Sequence, residues 1–290
     1  MPQLDYLSPS TADEAVRALV AGGGSAKVLS GGTDLLVQLR SGRIKPSVIV
    51  DLKRIPGAIG IRSEAGGFVI GAATSGMDIS EHTALGRAWP GVVEGMNLIG
   101  STQVQGRASL AGNLCNASPA ADSVPALIAA GAVCVVVGPN GQREVAAEDI
   151  AVGPGKTSLA SDEFVLEIKL PARPARSGDA YLRQIPRTEM DIAVVGAGVS
   201  LSLDAAGVIT AARVSLGAVA PTALLVAEAG AAIVGTKLDE PALAALDAAA
   251  QAAAKPISDK RGTVDYRIKI AGVLARRAAK IAYDRAEANA

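Results

Sequence analysis

The chain has 290 residues, which at roughly 150 residues per domain suggests about two domains. Lys plus Arg and Asp plus Glu both number 28, so the net charge is zero and the basic surplus of a nucleic-acid binder is missing. With 49% hydrophobic and 19% charged residues the chain is not disordered, and one Trp, four Tyr and two Phe leave a core of Ala, Val, Leu and Ile with no stacking platform for bases.

The chain opens on MPQLDYLSPS, which has neither the basic start nor the apolar core of a signal peptide. No run approaches the ~18 apolar residues of a membrane span. A cytoplasmic location is therefore expected. Segment 11–21 reads as a helix with Thr11 as N-cap and Glu14 completing a capping box, stopped by Gly22, Gly23 and Gly24. AKVLS (26–30) is a strand, GGTD (31–34) a loop, 34–42 a short helix and SVIVDL (47–52) a second strand, an order that fits a small parallel βαβ unit. AIGIR and GFVIGA pair as a hairpin around Gly66 and Gly67, and DISEHTALG and 88–99 read as helical. Residues 106–122 show little periodicity and read as one long polar loop, a kind of segment that tends to be functional. SVPALIAAGA is a helix with Pro125 in its first turn, AVCVVVG and QREVA form a hairpin across 139–141, and FVLEIKLP (164–171) is a strand. ARPARSG (172–178) has the composition of an exposed linker. AYLRQI, DIAVVGAGVSLSL and VITAARVSLGAV follow as strands, with a turn at 204–207, and helices close the chain at about 222–230, 239–254 and 264–288.

Two segments combine glycine with polar backbone. In KVLSGGTDLLVQL (27–39) the N–H groups of Gly31, Gly32 and Thr33 stand where a helix begins, a geometry that receives phosphate. On its own this segment is as readily an ordinary strand-to-helix turn capped by Thr33 or Asp34, and the charge of Asp34 favours that plainer reading. SLAGNLCNASPAAD (109–122) offers Ser109, Asn113, Asn116 and Ser118 as neutral partners for sugar and phosphate oxygens, with Asp122 as an acceptor for hydroxyls. Its plainer reading is a glycine turn followed by a helix cap at Asp122 or Ser123.

GPGKT (153–157) lacks the first glycine of a phosphate-binding P-loop, because Ile150 stands there. VVGAGVSL (194–201) runs on as strand and is not a dinucleotide fingerprint. Cys115 and Cys134 give no disulfide framework. Cys115 could line a pocket, although a lone thiol is more often a small buried hydrophobe. His82, the single histidine, is expected to be solvated or to cap a helix. No metal-ligand spacing and no Ser-His-Asp set is present, so neither a metal site nor a catalytic residue is expected, and the chemistry is expected to belong to a bound group. Arg183, Arg187, Glu189 and Asp191 form a charge cluster that reads either as a solvated turn with local ion pairs or as a site that sets Arg183 beside an anion.

SGGTDLL, SLAGNLCNASPAADSVPAL, GPGKTSL, RQIPRTEMDIAVV and DKRGTVDYRIKIAGVLARRA occur in an order and spacing that resemble the FAD-binding medium subunit of molybdenum hydroxylases, the family of the carbon monoxide dehydrogenase medium chain and bacterial xanthine dehydrogenase FAD subunits. The resemblance spans essentially the whole chain. It implies an α+β architecture, with a two-lobed FAD-binding domain over 1–174 (lobes about 1–56 and 57–174) and a C-terminal domain of antiparallel strands and helices over 175–290. It implies that Lys27, Val28, Leu29, Ser30, Gly31, Gly32, Thr33, Asp34 and Leu35 run along the FAD diphosphate, and that Ser109, Gly112 and Asn113 form a second clamp. Asp122 would meet ribityl or ribose hydroxyls, Val165 would pack on the flavin, and Arg183 would sit near its ring where Lys is frequent. SLAGN stands where the family usually has TIGGN or TIGGD, which puts Ala111 in place of a glycine and would strain any backbone needing positive φ there.

The resemblance further implies an electron-transfer subunit of a heterotrimer, commonly doubled. A [2Fe-2S] small subunit would deliver electrons, a molybdopterin large subunit would hold the substrate site, and an external acceptor would take the electrons away. A stand-alone flavin oxidoreductase and a flavin-free assembly subunit are the alternative readings.

Overall fold

A computed structural model describes residues 4–188 and 190–289, so Glu189 lies outside the described residues. The first lobe opens with strand β1 (Asp5–Leu7), which the sequence reading missed, and helix α1 (Ala12–Ala21). The Thr11 and Glu14 side chains close the expected capping box at the start of α1. Strand β2 (Ala26–Leu29), helix α2 (Leu35–Arg40) and strand β3 (Val48–Asp51) complete a parallel sheet ordered β1-β3-β2. All of β3 is buried, as a central parallel strand must be.

The second lobe begins with the hairpin β4 (Ile61–Glu64) and β5 (Gly67–Gly71). Helices α3 (Gly76–Glu81), α4 (Thr83–Ala88) and α5 (Pro90–Asn97) follow, then α6 (Thr102–Gln105), α7 (Leu110–Cys115) and α8 (Ser123–Ala129). The long loop expected over 106–122 is therefore interrupted by a helix. Ser109 is the reason: its Oγ accepts the Gly112 N–H at 3.1 Å and caps a proline-free run. Ala111 lies in that helix and needs no positive φ.

Strands β6 (Val133–Gly138) and β7 (Gly141–Ala146), the small hairpin β8 (Ala151–Gly153) and β9 (Lys156–Thr157), and β10 (Phe164–Leu170) finish this lobe. Its antiparallel sheet is ordered β4-β5-β10-β6-β7. β10 is central, so its apolar side chains are enclosed on both flanks.

The C-terminal unit carries a second hydrophobic core on an antiparallel sheet of β11 (Ser177–Gln184), β12 (Val195–Leu203), β13 (Ile209–Gly217) and β14 (Leu224–Leu225). The helix expected at 222–230 is split into β14 and a shorter α9 (Ala227–Ala231), and α10 (Glu240–Ala253) and α11 (Val264–Ala288) close the chain. Residue alternation divides the sheet faces. On one face, a Cβ at Gly178 would lie 1.8 Å from the Ala282 carbonyl of α11; on the other, a Cβ at Gly198 would lie 2.5 Å from the Pro125 carbonyl of α8. Gly198 of the false dinucleotide fingerprint, with Gly217 of β13, thus lets a helix of the second lobe lie flat on the sheet, while Gly196 makes room for the Tyr181 ring.

The expected linker is not a free loop. Arg173 is half-buried: its guanidinium lies 4.5 Å from the Trp89 ring centroid, and Nη1 donates to Asp179 Oδ1 at 2.7 Å and to the Ala88 carbonyl. Asp179 also accepts the Gly91 N–H at 2.9 Å, and Glu94 of α5 takes the Tyr181 N–H at 2.9 Å while pairing with Arg285 of α11. Removing Arg173 would leave Asp179 buried without its counter-ion, a loss of about 3 kcal/mol. Arg173→Ala is expected to lower the urea midpoint of unfolding strongly, and Arg173→Lys to recover part of it.

Candidate functional site

A groove of about 900 Å³ runs between the two lobes. One wall is the β2–α2 turn and the helix after it; the other is the start of α7, and Val165 and Phe164 of β10 also line it. Of the residues expected at a cofactor site, Lys27, Val28, Ser30, Gly31, Gly32, Thr33, Asp34, Leu35, Ser109, Gly112, Asn113 and Val165 line this one groove. The two segments, far apart in the chain, face a single cavity.

Four contacts hold them there. Ser30 Oγ donates to the Ala72 carbonyl at 2.7 Å and lies 2.8 Å from Ser109 Oγ. Gln38 Nε2 reaches Asn116 Oδ1 at 3.3 Å. The closest approach is backbone on backbone: a Cβ on Gly31 would sit 1.9 Å from the Arg107 carbonyl oxygen, so only glycine fits. Gly32 has φ +82°, the left-handed region that L side chains resist.

The plainer reading of the first turn, a helix capped by Thr33 or Asp34, does not hold. Asp34 occupies the cap position with helical φ and ψ, and its side chain makes no capping bond. The backbone N–H groups of Gly31, Gly32, Thr33 and Asp34 meet no acceptor among the described residues. Consecutive backbone donors left open on a groove are an anion cradle.

Three expected residues lie elsewhere. Leu29 is in β2, its side chain backing Gly32. Asp122 and Arg183 form a buried pair at 2.8 Å across the seam between the second lobe and the C-terminal sheet, and Arg183 also donates to the Leu98 carbonyl at 2.9 Å. Both remain close to the groove in sequence and contact: Ile99 lines it, and Asn113 accepts from the backbone and side chain of Ser123. Asp122 Oδ1 and Arg183 Nε are buried without partners. Burial lifts the Asp122 carboxyl to about 6 in spite of the adjacent guanidinium.

Of the charge cluster, Arg187 pairs with Asp191 at 3.1 Å as a local turn contact. His82 caps α4 through Nδ1, accepting the Leu85 N–H at 3.1 Å, and stacks edge-on against Phe68; it does not line the groove. Cys115 does line the groove, and burial of its sulfur pushes the thiol up to about 12, so it carries no nucleophile. Sequence reasoning missed Ile99, Arg43, Gly155 and Thr157 on the groove wall. GPGKT, rejected as a P-loop, is the turn of the β8–β9 hairpin, tied to the end of α7 by the Gly155 N–H on the Ala117 carbonyl at 2.9 Å. Its proline and glycines signalled a tight turn but not what the turn meets.

Residues 2–173 match the model of the FAD binding domain in molybdopterin dehydrogenase. The chain belongs to this family. Residues 180–282 match the CO dehydrogenase flavoprotein C-terminal domain. The chain is 35% identical to the carbon monoxide dehydrogenase medium chain of Afipia carboxidovorans, over 98% of both chains. It is 29% identical to the xanthine dehydrogenase FAD-binding subunit of Escherichia coli O157:H7, over 91% of each. It superposes on a chain of carbon monoxide dehydrogenase from Hydrogenophaga pseudoflava with a TM-score of 0.93 at 34% identity, covering 98% of both. It is thus an FAD-dependent oxidoreductase subunit of the molybdenum hydroxylases. No helix among the described residues is long and apolar enough to cross a membrane.

The raised Asp122 carboxyl fixes a sign. The folded protein holds this proton more tightly than the unfolded chain, whose value is near 3.8. Its stabilising contribution is therefore full below about pH 4 and is lost as pH rises through about 6. Asp122→Asn is expected to flatten that part of the stability–pH curve, read by chemical denaturation at successive pH values.

Proposed function

We propose that the inter-lobe groove binds FAD with its pyrophosphate on the open N–H groups of Gly31, Gly32, Thr33 and Asp34. Those unpartnered donors are the observation that carries the reading. The volume, about 900 Å³, suits an extended dinucleotide. Lys27, Val28 and Leu35 continue the first wall, with Leu29 supporting it from behind, and Ser109, Gly112 and Asn113 close on the cofactor from the other side. Asp122 and Arg183 stand behind the wall and support it, Asp122 next to the Ser123 that holds Asn113 and Arg183 on the Leu98 carbonyl beside Ile99, and not directly on the ribityl or ribose hydroxyls and the ring, while Val165 supplies an apolar contact.

Bound FAD would supply a two-electron store between a one-electron iron–sulfur donor and an external acceptor. The chain's own share is to bind and orient that group and to keep bulk water from its enclosed faces. Of the acidic groups and thiols on the groove wall, Glu163 is paired with Arg143, and burial raises both Asp34 and Cys115. In this reading the working assembly is a heterotrimer with a [2Fe-2S] small subunit and a molybdopterin large subunit, doubled by symmetry and cytoplasmic.

Gly31→Val is expected to abolish flavin retention, because its side chain would overlap the Arg107 carbonyl. The check is the flavin spectrum of the protein purified with its co-purifying subunits, with iron and molybdenum assayed in parallel. Loss of flavin with both metals retained supports the reading. Full flavin occupancy would overturn it.

A further inference from the structure

Lys53 follows β3 in a single 3-10 turn. Its Nζ lies 2.7 Å from Asp51 Oδ1 and 3.1 Å from the carbonyl oxygen of Ser30. Asp51 is buried; its other oxygen accepts the Tyr6 hydroxyl, and its Oδ1 also accepts the Lys53 N–H at 3.0 Å. The ammonium is therefore fixed at both ends of its reach, unlike most surface lysines, which keep their long stem mobile.

Lys53 stands on the far side of the first clamp. It lines a separate cavity of about 310 Å³, which shares only Ser30 and Gly31 with the groove. The Ser30–Gly31 peptide is thus a thin partition, with an ammonium on one side and the cofactor groove on the other. A trans peptide is planar, and its C=O and N–H point in opposite directions. Pinning the Ser30 carbonyl to Lys53 on one side turns the Gly31 N–H, at the other end of the same peptide, toward the groove. Gly31 cannot answer by shifting sideways, because the Arg107 carbonyl packs against its Cα.

We propose that Lys53 is a positioning residue for the FAD pyrophosphate: it orients the Ser30–Gly31 peptide so that the Gly31 N–H donates into the groove. The proposal rests on the FAD reading above. The ammonium also polarises the peptide it bonds, which strengthens the donor at the opposite end. Asp51 neutralises the net charge of the pair, so the effect is directional and local. Tyr6 and Asp51 serve it indirectly, by holding the ammonium.

The test uses the full chain with its co-purifying subunits, stripped of flavin and titrated with FAD, ADP and adenosine. ADP carries the pyrophosphate without the flavin, and adenosine carries neither. Lys53→Met keeps the stem and removes the ammonium. It is expected to weaken FAD and ADP roughly tenfold, about the worth of one charge-assisted hydrogen bond. Adenosine binding is expected to stay unchanged, and Lys53→Arg to restore most of the loss. Asp51→Asn/Lys53→Met, which leaves no unpaired buried carboxylate, is expected to show the same selective loss and serves if Lys53→Met alone does not fold. Equal ADP affinity in wild type and variant overturns the proposal, as does an equal loss for adenosine, which would mark a general collapse of the groove. Failure of the wild type to bind FAD or ADP would instead refute the cofactor reading itself.

Discussion

Everything at the groove depends on how closely the Ser30–Gly31 strip can lie against Arg107 and Ala108. That approach is possible only without a Cβ at residue 31. It brings two lobes with different sheets, one parallel and one antiparallel, to a shared wall. The serine hydroxyls then lock it in a definite sense. Ser109 Oγ accepts the Gly112 N–H and Ser30 Oγ donates to the Ala72 carbonyl, so the bond between them runs with Ser109 as donor. One chain of hydrogen bonds thereby ties the start of α7, the end of β2 and the end of β5. A site made of backbone donors needs this kind of scaffold, because its groups have no side-chain freedom with which to adjust.

The C-terminal unit does more than append a second core. Its sheet receives α8 on one face and α11 on the other, and close glycine contacts on both faces set the distances. The buried pairs Arg173–Asp179 and Asp122–Arg183 cross or border the seam. Buried ion pairs add little net stability but are costly to mismatch, so they favour one relative placement of the two units. That placement matters for an electron carrier, whose donor and acceptor must meet fixed edges of the same cofactor.

Much of this was legible in the sequence because the signals were local. The capping box at Thr11 and Glu14, the βαβ alternation and the hairpin glycines each report on a few neighbouring residues, and each element stands near where it was expected. The family resemblance supplied the pairing of the two glycine-bearing segments, which neither segment implies alone. What escaped were contacts between distant residues. The 106–122 stretch looks aperiodic because a six-residue helix buries too few positions to show a period, and its start is visible only in the Ser109 cap. Arg173 reads as linker chemistry until Trp89, far back in the chain, is seen beneath it. Lys53 stands in no motif, and only the fold brings it behind Ser30. The preference for a plain capped turn at 31–34 failed for a similar reason: composition offers Thr and Asp as caps but does not tell whether they bond.

In the proposed site the open amides of Gly31 to Asp34 grip the pyrophosphate. Hydrogen exchange over residues 27–39, compared between flavin-stripped and flavin-loaded protein, tests it most directly. Exchange at 31–34 is expected to be fast when stripped and markedly protected on loading, with α1 unchanged as an internal reference. Identical exchange at 31–34 in both states, in protein that demonstrably holds FAD, would contradict it.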